Sequence, residues 1–151
     1  MKFRVLMIVA LAAFSLGCSR PVSYEKFVRM EDKGSDGQYH FTLDMTDSLC
    51  TYDVYFYSRI DCSRNRLADV RDFPLNVTWI SPDGLRYAER VYFDVHDDKE
   101  VGDFYSRQYK ILYRSGLVPV KNGEWEMEVR IDSDRYVPGF RGLGVICKKN
   151  L

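Results

Sequence analysis

Apolar and polar residues alternate along most of this chain with the period of two that marks a half-buried β-strand. Tyr39, Phe41, Leu43 and Met45 interleave with His40, Thr42, Asp44 and Thr46. Leu75, Val77 and Trp79 alternate within residues 73–81, and Trp125, Met127, Val129 and Ile131 within 124–132. Residues 51–60 (TYDVYFYSRI) form the strongest pattern. Side chains on a strand point to opposite faces in turn. Tyr52, Val54, Phe56 and Ile60 therefore share one face, and Asp53, Tyr55, Tyr57 and Arg59 share the other. Further strands are predicted over 24–30, 85–95, 109–113, 117–120 and 140–148.

Turn chemistry punctuates the pattern. In Ser81-Pro82-Asp83-Gly84, Pro82 presets its backbone angle, Asp83 bonds the local backbone and Gly84 takes the left-handed position. A hairpin from 73–81 to 85–95 follows. Asn122-Gly123 is the strongest hairpin dipeptide and is expected to join 117–120 to 124–132. Ser115-Gly116 is expected to break one strand into two short pieces, and Pro138-Gly139 to turn the chain into its closing strand. Gly142 and Gly144 in that strand either admit another backbone closely or mark a bulge. No amphipathic helix longer than a turn or two is predicted beyond the N-terminal segment. Eight or nine short strands over 24–151 make an all-β fold, an antiparallel β-sandwich of jelly-roll or immunoglobulin-like type. The abundance of Tyr (11) and Phe (9) agrees, since aromatic residues favour strands.

The N-terminus breaks the alternation. Lys2 and Arg4 precede an unbroken apolar run over 5–14, and small Gly17 stands before Cys18. That is the layout of a secretory signal peptide, with an apolar run too short to remain as a spanning helix. The Gly-Cys end resembles a bacterial lipoprotein signal. By that resemblance residues 1–17 are removed, Cys18 is lipidated on its thiol and its new amine, and 18–23 form a tether. One acyl chain holds a protein marginally, whereas two or more hold it stably. No acidic run follows Cys18, which favours the periplasmic face of the outer membrane over the cell surface.

Charge and cysteine content narrow the chemistry. The chain has 22 basic and 22 acidic residues, and loss of Lys2 and Arg4 tips the mature form acidic. Nucleic-acid binding, which needs a basic stripe, is not indicated. Cys50 and Cys62 flank one predicted strand, roughly 35–40 Å apart at about 3.3 Å per residue, beyond disulfide reach. Cys147 pairing with either of them, or three buried thiols acting as small apolar residues, both stand open. No cysteine has zinc-site spacing. Asp94, His96, Asp97, Asp98 and Glu100 form the densest oxygen cluster but match no calcium loop, and read as a solvated loop. With His40 the only other histidine and no nucleophile elbow, no catalytic residue, metal or cofactor is expected.

Binding is the better-supported class. Tyr55 and Tyr57 beside Asp53 and Arg59 would present aromatic rings with polar neighbours, which suits a protein partner or a stacked sugar. Four segments also carry a family resemblance: TYDVYFYSRID (51–61), PLNVTWISPDG (74–84), NGEWEMEVRID (122–132) and PGFRGLGVICKK (138–149). With Cys18 ahead of them, they make the chain resemble the gliding-motility lipoprotein GldH family of Bacteroidetes. The resemblance implies a non-catalytic outer-membrane lipoprotein, an accessory of the motility or secretion apparatus. It would hold the membrane through Cys18 and dock an envelope protein. A carbohydrate-binding lipoprotein using exposed tyrosines is the alternative.

Overall fold

The alternating faces all turn into one shared core. The computed structural model describes residues 24–67, 72–95, 101–102, 106–132 and 134–150. The signal segment, Cys18 and the tether lie outside these. Nine strands occur among the described residues: β1 (Tyr24–Arg29), β2 (Tyr39–Met45), β3 (Thr51–Asp61), β4 (Phe73–Ile80), β5 (Arg86–Phe93), β6 (Val101–Gly102), β7 (Ser106–Leu117), β8 (Gly123–Arg130) and β9 (Phe140–Asn150). A single helical turn, Arg64–Leu67, follows β3.

Two antiparallel sheets form, in the orders β1-β9-β3-β7-β6 and β2-β8-β4-β5. Only the β4–β5 and β6–β7 connections stay within a sheet; every other connection crosses to the opposite one. Of the two sandwich types expected, this order is the jelly roll. The core packs Phe41, Leu43, Leu75, Val77, Met127 and Val129 of the four-stranded sheet against Val54, Phe56, Leu143 and Val145 of the five-stranded one. β9, predicted as a closing strand, lies between β1 and β3, where both its neighbours and the core cover it.

Two turn expectations change. β7 runs unbroken from Ser106 to Leu117. Gly116 adopts a φ of +62°, and the ladder absorbs it as a bulge where Tyr52 faces Leu117 and Val54 faces Arg114. The Asp53 carboxylate stabilises that bulge, accepting the Gly116 N–H at 2.8 Å and the Ser115 hydroxyl at 3.1 Å. Asn122-Gly123 does not make a hairpin, because a two-residue turn needs both strands in one sheet and residues 118–122 carry the chain from one sheet to the other. The Ser81–Gly84 turn forms as expected, with the Gly84 N–H bonded to the Ser81 carbonyl at 2.8 Å. Cys50, Cys62 and Cys147 are buried and free.

Candidate functional site

Asp53, Tyr55, Tyr57 and Arg59 do share the outer face of the five-stranded sheet, but they do not form one open site. Asp53 is occupied by the β7 bulge. Tyr57 is only 7% exposed. Edge strand β1 lays Phe27 over its ring, the centroids 5.7 Å apart. Burial raises the pKa of the Tyr57 hydroxyl, and neighbouring Glu25 raises it further. Arg59 bonds Asp61 at 3.1 Å, and Arg141 reaches the same carboxylate at 2.8 Å. The expectation of two outward tyrosines is therefore corrected: β1 covers one of them.

Tyr55 remains. Strand register sets Leu112 of β7 on one side of it and Ile146 of β9 on the other. The Lys110 ammonium stands 4.2 Å from the centre of the Tyr55 ring and that of Lys148 stands 5.4 Å away, both within cation–π range. Burial lowers the pKa of Lys110, and Lys148 lowers it further, against an upward pull from Glu25. Leu112 is exposed beside this group. Lys110 and Leu112 on β7 and Lys148 on β9 lie far from β3 in sequence, so only the pairing register brings them to Tyr55.

A second feature lies at the end of the sandwich where β1 begins. The β2–β3 loop presents Leu49, 90% exposed, and the β4–β5 turn presents Leu85. The β7–β8 crossover presents Val118 and Val120, the latter 82% exposed. Beneath the crossover is a groove of about 210 Å³ lined by Trp79, Trp125, Tyr87, Met45 and Pro119. The two indoles meet edge to face at 6.0 Å. Trp79 Nε1 donates to the Tyr113 hydroxyl at 2.6 Å, and that hydroxyl donates to Glu89. Arg114 holds both Glu89 oxygens, at 2.7 and 2.6 Å. Trp125 Nε1 donates to the Lys121 carbonyl at 2.8 Å. Both indole N–H groups are thus paired inside the protein, and the groove offers chiefly hydrocarbon surface.

Of the loop cluster Asp94, His96, Asp97, Asp98 and Glu100, only Asp94 is among the described residues. Those residues hold no group of three or more metal-ligating side chains.

No protein-family model matches the chain, and neither does any curated protein. Some solved structures are weakly similar to it. A protein from Sulfurospirillum deleyianum is 10% identical over 87% of this chain and 99% of its own, with a TM-score of 0.39. The Yersinia pseudotuberculosis-derived mitogen is 7% identical over 87% of this chain and 86% of its own, at 0.34. The Tobacco streak virus coat protein is 10% identical over 89% of this chain and 88% of its own, at 0.35. Overlap this slight bears on neither activity nor partner.

Proposed function

We propose that the protein is a non-catalytic lipoprotein of the outer membrane, anchored through Cys18, that serves the gliding-motility or secretion apparatus as an accessory subunit. The resemblance to the GldH family supports that setting. In this reading the outer face of the five-stranded sheet docks a protein partner around Tyr55. The observation that carries docking is the Tyr55 ring held beside two ammonium groups, with Leu112 exposed next to it. Aromatic anchors with apolar neighbours are what protein interfaces favour. The partner's chemistry follows from the charge. Lys110 and Lys148 crowd one partly buried ring, and burial first, then Lys148, lowers the pKa of Lys110. A partner segment rich in Asp or Glu would supply the counter-charge. Stacking on a sugar is less well served, since Tyr57 is buried and Tyr55 alone of the two tyrosines is left on this face.

The test places a photo-activated cross-linker at position 112 of the acylated protein in intact cells. A single envelope protein, cross-linked through an Asp/Glu-rich peptide, is expected. Tyr55→Ala and the pair Lys110→Glu, Lys148→Glu should abolish the adduct, while Tyr92→Ala on the other sheet should keep it. Equal adducts in all variants, or none in the parent, would reject the reading.

A further inference from the structure

We infer that the end of the sandwich bearing Leu49, Leu85, Val118 and Val120 seats itself in the interfacial layer of the membrane that holds the anchor. This rests on lipidation of Cys18.

Strand direction identifies the end. β1 starts at Tyr24 opposite Cys147, and β9 finishes at Asn150 opposite Thr51, where β3 begins. β7 ends at Leu117 opposite Tyr52. In the other sheet Met45 faces Gly123, and Ile80 faces Arg86. The 46–50, 81–85 and 118–122 connections therefore leave the sandwich at the end where the N-terminal tether enters it. Six residue steps separate Cys18 from Tyr24, which span at most roughly 20 Å when fully extended. The 11 residues of β9 alone run about 36 Å at about 3.3 Å each. The tether is thus too short for an upright domain to turn its opposite end to the bilayer.

That near end is where the apolar tips gather. Single exposed leucines are ordinary, but here three separate loops each aim at least one outward. Among the described residues the other large exposed apolar side chains lie elsewhere or beside the groove: Tyr136 at the far end, Tyr92 and Leu112 on the sheet faces, Tyr87 at the groove. Hydrogen bonds hold the tips in place. The Asp47 carboxylate accepts the Leu49 N–H at 3.0 Å. Leu85 is held by its N–H on the Ser81 hydroxyl and its carbonyl on the Ser81 N–H, each 2.9 Å. Three ion pairs lie at this end, Lys149 with Asp47, Lys121 with Asp83 and Arg114 with Glu89, and Asp44 faces Glu124 across β2 and β8. An end that is apolar at its tips, with no surplus of cations behind them, suits the headgroup–acyl boundary, where binding grows with apolar area buried. It needs no anionic lipid.

The chain's two tryptophans, Trp79 and Trp125, line the groove at this end and serve as built-in probes. Acylated protein is reconstituted into phosphatidylcholine vesicles whose chains carry bromine near the headgroup. Tryptophan fluorescence should be quenched, and adding anionic lipid should not change the quenching. The variant Leu49→Ser, Leu85→Ser, Val118→Ser, Val120→Ser should float with the vesicles but lose the quenching, with its melting temperature unchanged because these side chains are outside the core. Parent protein that is acylated and floats yet is not quenched overturns the inference and spares the anchor. Equal quenching in the variant overturns it too, since the tether alone would explain proximity. Quenching that requires anionic lipid overturns the apolar mechanism. Absence of acyl mass on Cys18 and of flotation rejects the lipoprotein reading, and this inference with it.

Discussion

Gly144 lies directly under the ring of Tyr57, so close that a Cβ there would sit 2.3 Å from two ring carbons. Phe27 stacks against that ring, the centroids 5.7 Å apart. Tyr57 is therefore held by the backbone of β9 and a side chain of β1. This is why a residue on the outer face of the sheet behaves as core.

A methyl group at position 144 has no room unless the ring moves into Phe27. Overpacking of this kind costs about 1–3 kcal/mol, and Gly144→Ala should lower unfolding stability in urea by that amount. Tyr57→Val in the same chain removes the obstruction, so the double variant should lose less than the sum of the two singles. Strict additivity would show that the ring does not occupy this position.

Asp134 ties the far end together. Its side chain is 3% exposed, and it accepts the Lys33 ammonium at 2.6 Å and the Tyr39 hydroxyl at 2.9 Å. The β1–β2 connection is thereby fastened to the β8–β9 connection. Removing one partner of a buried charge pair leaves the other uncompensated, at about 3–5 kcal/mol. Asp134→Ala should destabilise by about 3 kcal/mol on that scale, given that Lys33 keeps some contact with water. Replacing all three polar groups, with Asp134→Leu, Lys33→Met and Tyr39→Phe, should recover most of the loss. Chemical denaturation of the two variants tests this, and a triple variant as weak as Asp134→Ala would contradict it.

At the other end, Asp47 binds Lys149 at 2.6 Å and the Leu49 N–H at 3.0 Å. Lys149, then the Leu49 amide, then the Cys50 thiol hold its carboxyl down to about 2. An unfolded aspartate titrates near about 3.9. A depressed folded pKa means that its contribution to stability is complete above the unfolded value and is lost as pH falls from about 4 through about 2. Stability of the parent should therefore drop more steeply across that window than stability of Asp47→Asn. Carboxyl carbon NMR should place the Asp47 midpoint near 2 and move it upward in Lys149→Ala.

What the sequence could convey follows from how local each signal is. The inward faces of β2, β4 and β8 were legible because alternation needs only neighbours along the chain, and Tyr39, Phe41, Leu43 and Met45 are all buried. The Ser81–Gly84 turn was legible for the same reason. Asn122-Gly123 misled because the dipeptide specifies a tight reversal but not which sheet each strand joins. Ser115-Gly116 misled because the acceptor that tolerates its bulge, Asp53, lies on β3. The outer face of β3 was placed correctly, yet its exposure was not: that depends on β1 pairing with β9 so that Phe27 faces Gly144. The cluster of apolar loop tips was hidden for a related reason. Leu49, Leu85 and Val118 are isolated in sequence, and only the jelly-roll crossing order brings their loops to one end.

Cys147 offers a final test that joins fold to anchor. It lies on β9 opposite Val54, with its thiol buried. Burial first, then Asp53 and Asp44, push the thiol up to about 11. At pH 8 its reactive thiolate is then roughly one part in a thousand. Burial likewise raises Cys50 and Cys62. Because the folded pKa of Cys147 is raised, its contribution to stability is complete below the unfolded value near about 8.5 and fades as pH climbs through about 11. Iodoacetamide at pH 8 should therefore leave the native protein unlabelled at Cys50, Cys62 and Cys147 on a timescale that saturates it in urea. The urea sample also counts thiols. The chain has four cysteines, so a mature protein whose Cys18 carries a thioether takes three labels and one with a free Cys18 takes four. Rapid native labelling at Cys147 would contradict its burial between β1 and β3, and a fourth label in urea would contradict the anchor.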